Sequence, residues 1–284
     1  MDNFKLNNGN LIPSLAYGTW LIKDKDACNC TLMALEAGYR HIDTAQAYRN
    51  ERGVGEALKK SGLKREEIYL TTKVEAELKD YDSAKKSIDE SLERLGLDYI
   101  DLILIHCPQP WNEFRGKNRY FKENIEVWKA LEDAYYEGKV KAIGVSNFLV
   151  DDLENIMNNC RIKPMVNQIL IHIGNSPMDV IKFCQENDIV VEAYSPIAHG
   201  AALRNKKIEA MAAKYNVSIA QLCIKYTLQL GTISIPKASS KEHIEDNMKL
   251  DFEISEEDMI KLIKLNNINY GLDSFWPVFR KRNQ

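Results

Sequence analysis

Short apolar runs rich in β-branched residues recur along the chain, separated by longer stretches whose apolar positions fall three and four apart. The first pattern suits buried strands and the second suits amphipathic helices. Residues 14–17, 40–43, 68–73, 101–106, 141–145, 165–168, 189–194 and 232–235 read as eight strands. Segments 83–95 (SAKKSIDESLERL) and 124–136 (NIEVWKALEDAYY) are typical of the helices between them. Alternation of this kind implies parallel strands joined by right-handed helical crossovers. Eight such units in 284 residues predict an α/β fold closed into a (β/α)8 TIM barrel. Ahead of the first unit, FKLNNGNLIP reads as a β-hairpin turning at Asn8-Gly9, placed to plug the bottom of the barrel. With no linker, repeat or low-complexity stretch, residues 1–284 are expected to form one domain.

Composition narrows the class. Apolar residues make up 45% and charged residues 28%, as in a soluble globular chain, and the net charge of −3 provides no field for nucleic acid. The opening MDNFKLNNGN has no signal-peptide pattern, and no apolar run is long enough to cross a membrane. Six cysteines without CxxC spacing suggest reduced thiols in a cytoplasmic protein. No heptad or apolar strip calls for a partner chain, so a monomer is expected. The terminal Arg280-Lys281-Arg282 reads as a solvated tail.

Gly53-Val54-Gly55 imitates part of a dinucleotide-binding fingerprint, but Leu58 stands where the third glycine belongs and no strand leads directly into it. The segment reads as helix surface. Chemistry in a barrel gathers instead at the C-terminal ends of the strands. There the chain carries Asp43, Lys73, His106, Ser146, Asn147, Gln168, Tyr194 and Lys237, with Tyr48 shortly after the second strand. Taken singly, the aspartate could be a helix cap, the histidine a core residue and the lysine a surface group. Together they suit proton transfer to a carbonyl oxygen. A lysine cation would lower the pKa of the tyrosine hydroxyl, a carboxylate would hold the lysine, and histidine would orient the carbonyl. No metal-ligand cluster or nucleophile elbow competes.

Three segments go further. GYRHIDTAQAYRNERGVGEAL (38–58), SLERLGLDYIDLILIHCP (91–108) and IPKASSKEHIEDN (235–247) resemble, in order and spacing, the signature regions of the aldo-keto reductase family in its bacterial type. The resemblance implies reduction of aldehydes or ketones by hydride from NAD(P)H. It implies a catalytic tetrad of Asp43, Tyr48, Lys73 and His106, with Tyr48 as general acid. It also implies that Ser146, Asn147 and Gln168 hold the nicotinamide carboxamide and that Tyr194 stacks on the ring. Thr19, Trp20, Ser195, Pro196 and Ile235 complete the implied cofactor contacts. Lys237, Ser239, Ser240 and His243 would meet the 2′-phosphate of NADPH, with Asp246 and Asn247 near the adenine. Here His243 stands where the family's usual arginine would be, which leaves room for NADH. Cys107 replaces the usual tryptophan after the histidine and predicts a smaller pocket wall. Trp20, Tyr48, His106, Cys107 and Trp111 are the expected substrate contacts. Loop residues Phe114 and Trp276 could roof the mouth, and Arg115 and Arg119 could receive an anionic substrate. Two other functions fit parts of this pattern. Lys73 could form a Schiff base as in barrel aldolases, or the barrel could bind a dinucleotide without catalysis.

Overall fold

The computed structural model describes residues 3–265 together with Ile268 and Tyr270. Trp276 and Arg280-Lys281-Arg282 lie outside the described residues. The chain opens with β1 (Asn3–Lys5) and β2 (Leu11–Pro13), an antiparallel pair. The barrel strands follow as β3 (Ala16–Gly18), β4 (His41–Asp43), β5 (Tyr69–Val74), β6 (Leu102–Ile105), β7 (Ile143–Ser146), β8 (Val166–Leu170), β9 (Val190–Tyr194) and β10 (Ile233–Ile235). They form one eight-stranded sheet in sequence order, every pairing parallel. The barrel closes where Ser234 donates to the Ser14 carbonyl at 3.0 Å and Gly18 to that of Pro236 at 2.9 Å. Each expected strand is present, displaced by no more than a few residues.

The connecting helices are α1 (Asp24–Glu36), α2 (Glu51–Lys60), α3 (Tyr81–Leu95), α4 (Phe121–Tyr136), α5 (Val150–Met157), α6 (Met178–Glu186), α7 (Lys206–Lys214), α8 (Ile219–Gln229), α9 (Lys241–Asp246) and α10 (Glu256–Lys264). Their limits follow local chemistry. Asp80 accepts the Ser83 amide to start α3, and Gly96 ends it at φ 62°. A reciprocal Ser218–Gln221 capping box starts α8. The parallel strands are covered on both faces, so runs such as Leu102–Ile105 are apolar throughout and wholly buried.

Gly53 and Gly55 do lie in a helix, but not on its surface. A Cβ on Gly53 would sit 2.5 Å from the Asp24 carbonyl oxygen, and one on Gly55 2.1 Å from that of Leu95. Both glycines let α2 approach its neighbours.

The hairpin forms around Asn8-Gly9 as expected. Leu6 and Asn10 pair across a three-residue loop whose last residue, Gly9, takes φ 90°, the position where such loops favour glycine. Asn7 donates to the carbonyls of Pro164 (2.9 Å) and Asp188 (3.3 Å), while Asn8 and Asn10 donate to that of Lys141 (3.0 and 3.1 Å). Those carbonyls precede β8, β9 and β7, so the hairpin seals the N-terminal end of the barrel.

Candidate active site

At the other end the strands open into a cavity of about 780 Å³. Its polar residues arise from alternation along the strands. Asp43 pairs with Thr71 across β4 and β5, and Lys73 lies two residues beyond Thr71, so both side chains leave the same face of the sheet. Ser146 pairs with Gln168, and Gln168 with Glu192, which brings β7, β8 and β9 into the same layer.

The Lys73 ammonium donates to both Asp43 oxygens (2.7 and 2.8 Å) and to the Thr44 carbonyl (2.8 Å). Lys73 is fully buried and Asp43 is 3% exposed, so each group depends on the other. Tyr48 sits on a short 3-10 turn, Gln46–Tyr48, closed by Arg49 in the left-handed region. Two buried neighbours bolt this turn down. Gln46 donates to the Ser87 carbonyl and the Ser91 hydroxyl, and Asn50 donates to the carbonyls of Thr19 and Ile22. The turn places the Tyr48 ring 5.0 Å from Lys73 Nζ and 5.6 Å from the His106 ring.

Burial, reinforced by the charge of Lys73, pushes His106 well below the usual imidazole range, so it is neutral at pH 7. The direction at Tyr48 corrects the sequence expectation. Burial and the nearby Asp43 carboxylate raise its pKa well above that of a free phenol. The three protons of Lys73 are directed at Asp43 and Thr44, so the cation acts on Tyr48 through space rather than through a hydrogen bond.

Facing these groups, Ser146 donates to the Gln168 carbonyl at 2.9 Å, and Asn147 donates to the His106 carbonyl at 3.0 Å. The Tyr194 hydroxyl donates to Asn147 Oδ1 at 2.7 Å, which anchors the outer end of its ring. Gln168 Nε2 donates to Asp43 Oδ2 (2.8 Å) and to Glu192 Oε2 (2.7 Å). Ser195, Pro196, Ile235 and Lys237 continue the cavity wall, and Trp20, Trp111 and Leu21 form its apolar rim. Leu21, Ile197, His199 and Gly200 also line it and were missed from sequence, as was Glu192 behind Gln168. His199 stands 4.9 Å from Trp20 on a loop where Ala198, His199 and Gly200 all have positive φ. The charged residue inside the apolar run VVEAY was a visible signal for Glu192.

Several expected residues do not line the cavity itself. Cys107 is fully buried with Ala76 and Phe114 beneath Trp111, and burial pushes its thiol up to about 12. The wall is instead Trp111, edge-on to His106 at 5.1 Å. Thr19 is buried below the cavity, donating to the Asp43 carbonyl. Ser239, Ser240 and His243 are exposed beyond Lys237, with Ser240 capping α9. The Asp246 carboxylate accepts from Ser218 and Gln221 at the start of α8, and Asn247 ends α9. Arg119 is paired with Asp151 and Asp152. Arg115 lies over the Phe114 ring at 4.3 Å.

Residues 14–267 match the family model described as "Aldo/keto reductase family". The chain belongs to the aldo/keto reductase family. It is 40% identical over 267 residues to the glyoxal reductase of Bacillus subtilis, covering 93% of each chain. A Brucella melitensis aldo/keto reductase superposes with TM-score 0.86 at 39% identity, covering 93% of this chain and 99% of that one. A Bombyx mori aldo-keto reductase solved in complex with NADP superposes with TM-score 0.86 at 32% identity, covering 98% of each. Membership makes this chain an oxidoreductase, with the family's NAD(P)H-dependent carbonyl reduction as its chemistry. Among the described residues no helix is long and apolar enough to cross a membrane.

Proposed function

We propose that residues 1–284 form a single catalytic domain, a cytoplasmic monomer, that reduces small uncharged aldehydes or ketones with NADPH, using Tyr48 as general acid. The observation that carries this reading is the convergence of Tyr48, the Lys73–Asp43 pair and neutral His106 on one wall of the cavity whose opposite side bears Ser146, Asn147, Gln168 and Tyr194. The polar groups suit a nicotinamide. Both Gln168 N–H groups are engaged by carboxyl oxygens, so its Oε1 remains to accept from a carboxamide, and the Tyr194 ring, its hydroxyl anchored on Asn147, lines the same cavity.

A bound reduced nicotinamide supplies hydride to the carbonyl carbon. The chain's own residues supply the rest. The His106 imidazole donates a hydrogen bond to the carbonyl oxygen and orients it. A phenol of raised pKa is fully protonated at neutral pH, so Tyr48 holds the proton that the oxygen takes as it becomes an alkoxide. The Lys73 charge stabilises the phenolate left behind, which is then reprotonated from water.

Trp20, Leu21, Trp111 and Ile197 favour an apolar substrate, and the ion-paired Arg119 is unsuited to receiving an anionic one. The name of the Bacillus relative points to a small uncharged dialdehyde as one such compound. Lys237, Ser239 and Ser240 suit a 2′-phosphate, while His243 in place of an arginine weakens the preference and admits NADH. A Schiff-base role for Lys73 is disfavoured, because an ammonium donating three hydrogen bonds has no lone pair to attack a carbonyl.

The test is Tyr48→Phe, assayed by loss of NADPH absorbance with a panel of aldehydes and by NADPH titration. Turnover should fall by at least ~100-fold with dinucleotide affinity retained. Unchanged turnover would refute Tyr48 as the acid. Wild-type binding of dinucleotide with no turnover on any carbonyl would favour a non-catalytic barrel.

A further inference from the structure

Glu192 is a carboxylic acid inside the barrel wall, fully buried on β9 and directly opposite Gln168 in register. No role for it follows from the proton-transfer chemistry. Its Oε2 accepts from Gln168 Nε2 at 2.7 Å, while the same nitrogen donates to Asp43 Oδ2 at 2.8 Å. A carboxamide can be read in two orientations, and only its NH2 end can face two acceptors. With one acceptor the amide plane can still turn about that single bond. With two, both N–H directions are fixed and so is the direction of the oxygen. That oxygen belongs to a residue lining the cavity, and no protein donor reaches it among the described residues.

We infer that Glu192 is a positioning residue for the nicotinamide site: with Asp43 it clamps the Gln168 amide so that Oε1 is presented to the carboxamide N–H2 of the dinucleotide. This inference rests on the reading that the cavity takes a nicotinamide dinucleotide. The groups around Glu192 support a clamp rather than an ion pair. The facing imidazole of His41 is pushed down to about 3 by burial and is neutral, and its Nε2 lies 2.9 Å from the Thr71 hydroxyl and 3.7 Å from Glu192 Oε1. Lys73 is committed to Asp43 and Thr44. The carboxyl itself is held up at about 8, mainly by burial and then by the charge of Asp43, so near neutrality its acid form serves chiefly as a hydrogen-bond acceptor to Gln168.

The test compares dissociation constants for NADP+ and for its 3-acetylpyridine analogue, in which a methyl ketone replaces the amide and removes the N–H2 donors. Full-length wild type, Glu192→Gln, Glu192→Leu, Glu192→Asp and Gln168→Leu are titrated, with a melting curve for each. Wild type should prefer NADP+ over the analogue by about 5–10-fold, the scale of one buried hydrogen bond. Glu192→Gln retains an acceptor oxygen at the same reach and should keep that preference. Glu192→Leu should reduce it to within about 2-fold while binding the analogue as wild type does, which a general loss of stability would not produce. If the leucine variant does not fold, Glu192→Asp, whose carboxyl is one carbon too short to reach Gln168, carries the same expectation. Full discrimination in the Leu or Asp variant, with discrimination lost in Gln168→Leu, overturns the role of Glu192 and leaves the cofactor reading intact. Full discrimination in Gln168→Leu overturns the Gln168 contact and the inference with it. Failure of wild type to bind NADP+ overturns the cofactor reading itself.

Discussion

The ammonium of Lys73 lies 2.7 and 2.8 Å from the two carboxylate oxygens of Asp43, although the residues are 30 positions apart in sequence and sit on neighbouring strands. The pair is buried, so neither charge can turn to water if the other is removed. Asp43→Ala is therefore expected to cost about 3–5 kcal/mol of stability, the usual result of stranding one buried charge. The double variant Asp43→Ala with Lys73→Met should recover much of that stability without recovering turnover. Melting curves and an aldehyde reduction assay on the three proteins measure both effects. Equal melting temperatures for wild type and Asp43→Ala would contradict the interdependence.

Glu192 provides a pH signature in stability. Its carboxyl titrates at about 8 in the folded chain, raised from 4.5. The folded protein thus keeps a proton that the unfolded chain releases, and the stability from this group is complete below about pH 4.5 and is lost as pH rises through about 8. Glu192→Gln cannot ionise and escapes that loss. Its stability relative to wild type, followed by melting temperature, should therefore rise between pH 5 and pH 9, by on the order of a few kcal/mol at most. A difference independent of pH would show that Glu192 ionises as freely in the folded chain as in the unfolded one.

His243 is exposed on α9, one turn along from its Ser240 cap. Replacing it by arginine adds a planar fork of donors beside Lys237. His243→Arg should tighten NADPH binding by about tenfold, as one charge-assisted hydrogen bond would, and leave NADH nearly unchanged. The gain should shrink at high salt, because the position is open to solvent. Equal effects on both dinucleotides would move the 2′-phosphate away from this helix.

Gly55 is a packing residue with no ligand. A methyl group there would meet the Leu95 carbonyl oxygen at 2.1 Å, and that oxygen is main chain and cannot rotate aside. Gly55→Ala should cost about 2 kcal/mol or more, roughly 4–8 °C in melting temperature, although alanine is the better helix former. An unchanged melting temperature would mean that α2 and α3 can separate freely.

The barrel was legible in the sequence because parallel strands covered on both faces appear as apolar runs, so a polar residue that ends one, such as His106 after Leu102–Ile105, stands out. The floor was less so. Asn8-Gly9 marks a turn, but whether two or three residues make the loop depends on the pairing of Leu6 with Asn10, which depends on where the asparagines reach the barrel. Cys107 follows His106 in sequence but turns away beneath Trp111, since the direction of a loop side chain is set by what the loop packs on. The direction of the Tyr48 pKa required distances, because burial and Asp43 compete with Lys73 and residue types alone do not say which prevails. Glu192 was visible as a lone charge in VVEAY, but its connection to the site emerges only when β8 and β9 are in register.

The asparagine side chains that lock the hairpin onto the strand starts have a consequence for traffic. With the carbonyls of Lys141, Pro164 and Asp188 held by the hairpin from below, the well opens among the described residues at the rim of Trp20 and Trp111. Two guests sharing a well closed from below meet at its open end, so a deeper-seated one that enters first is covered by the second and leaves after it.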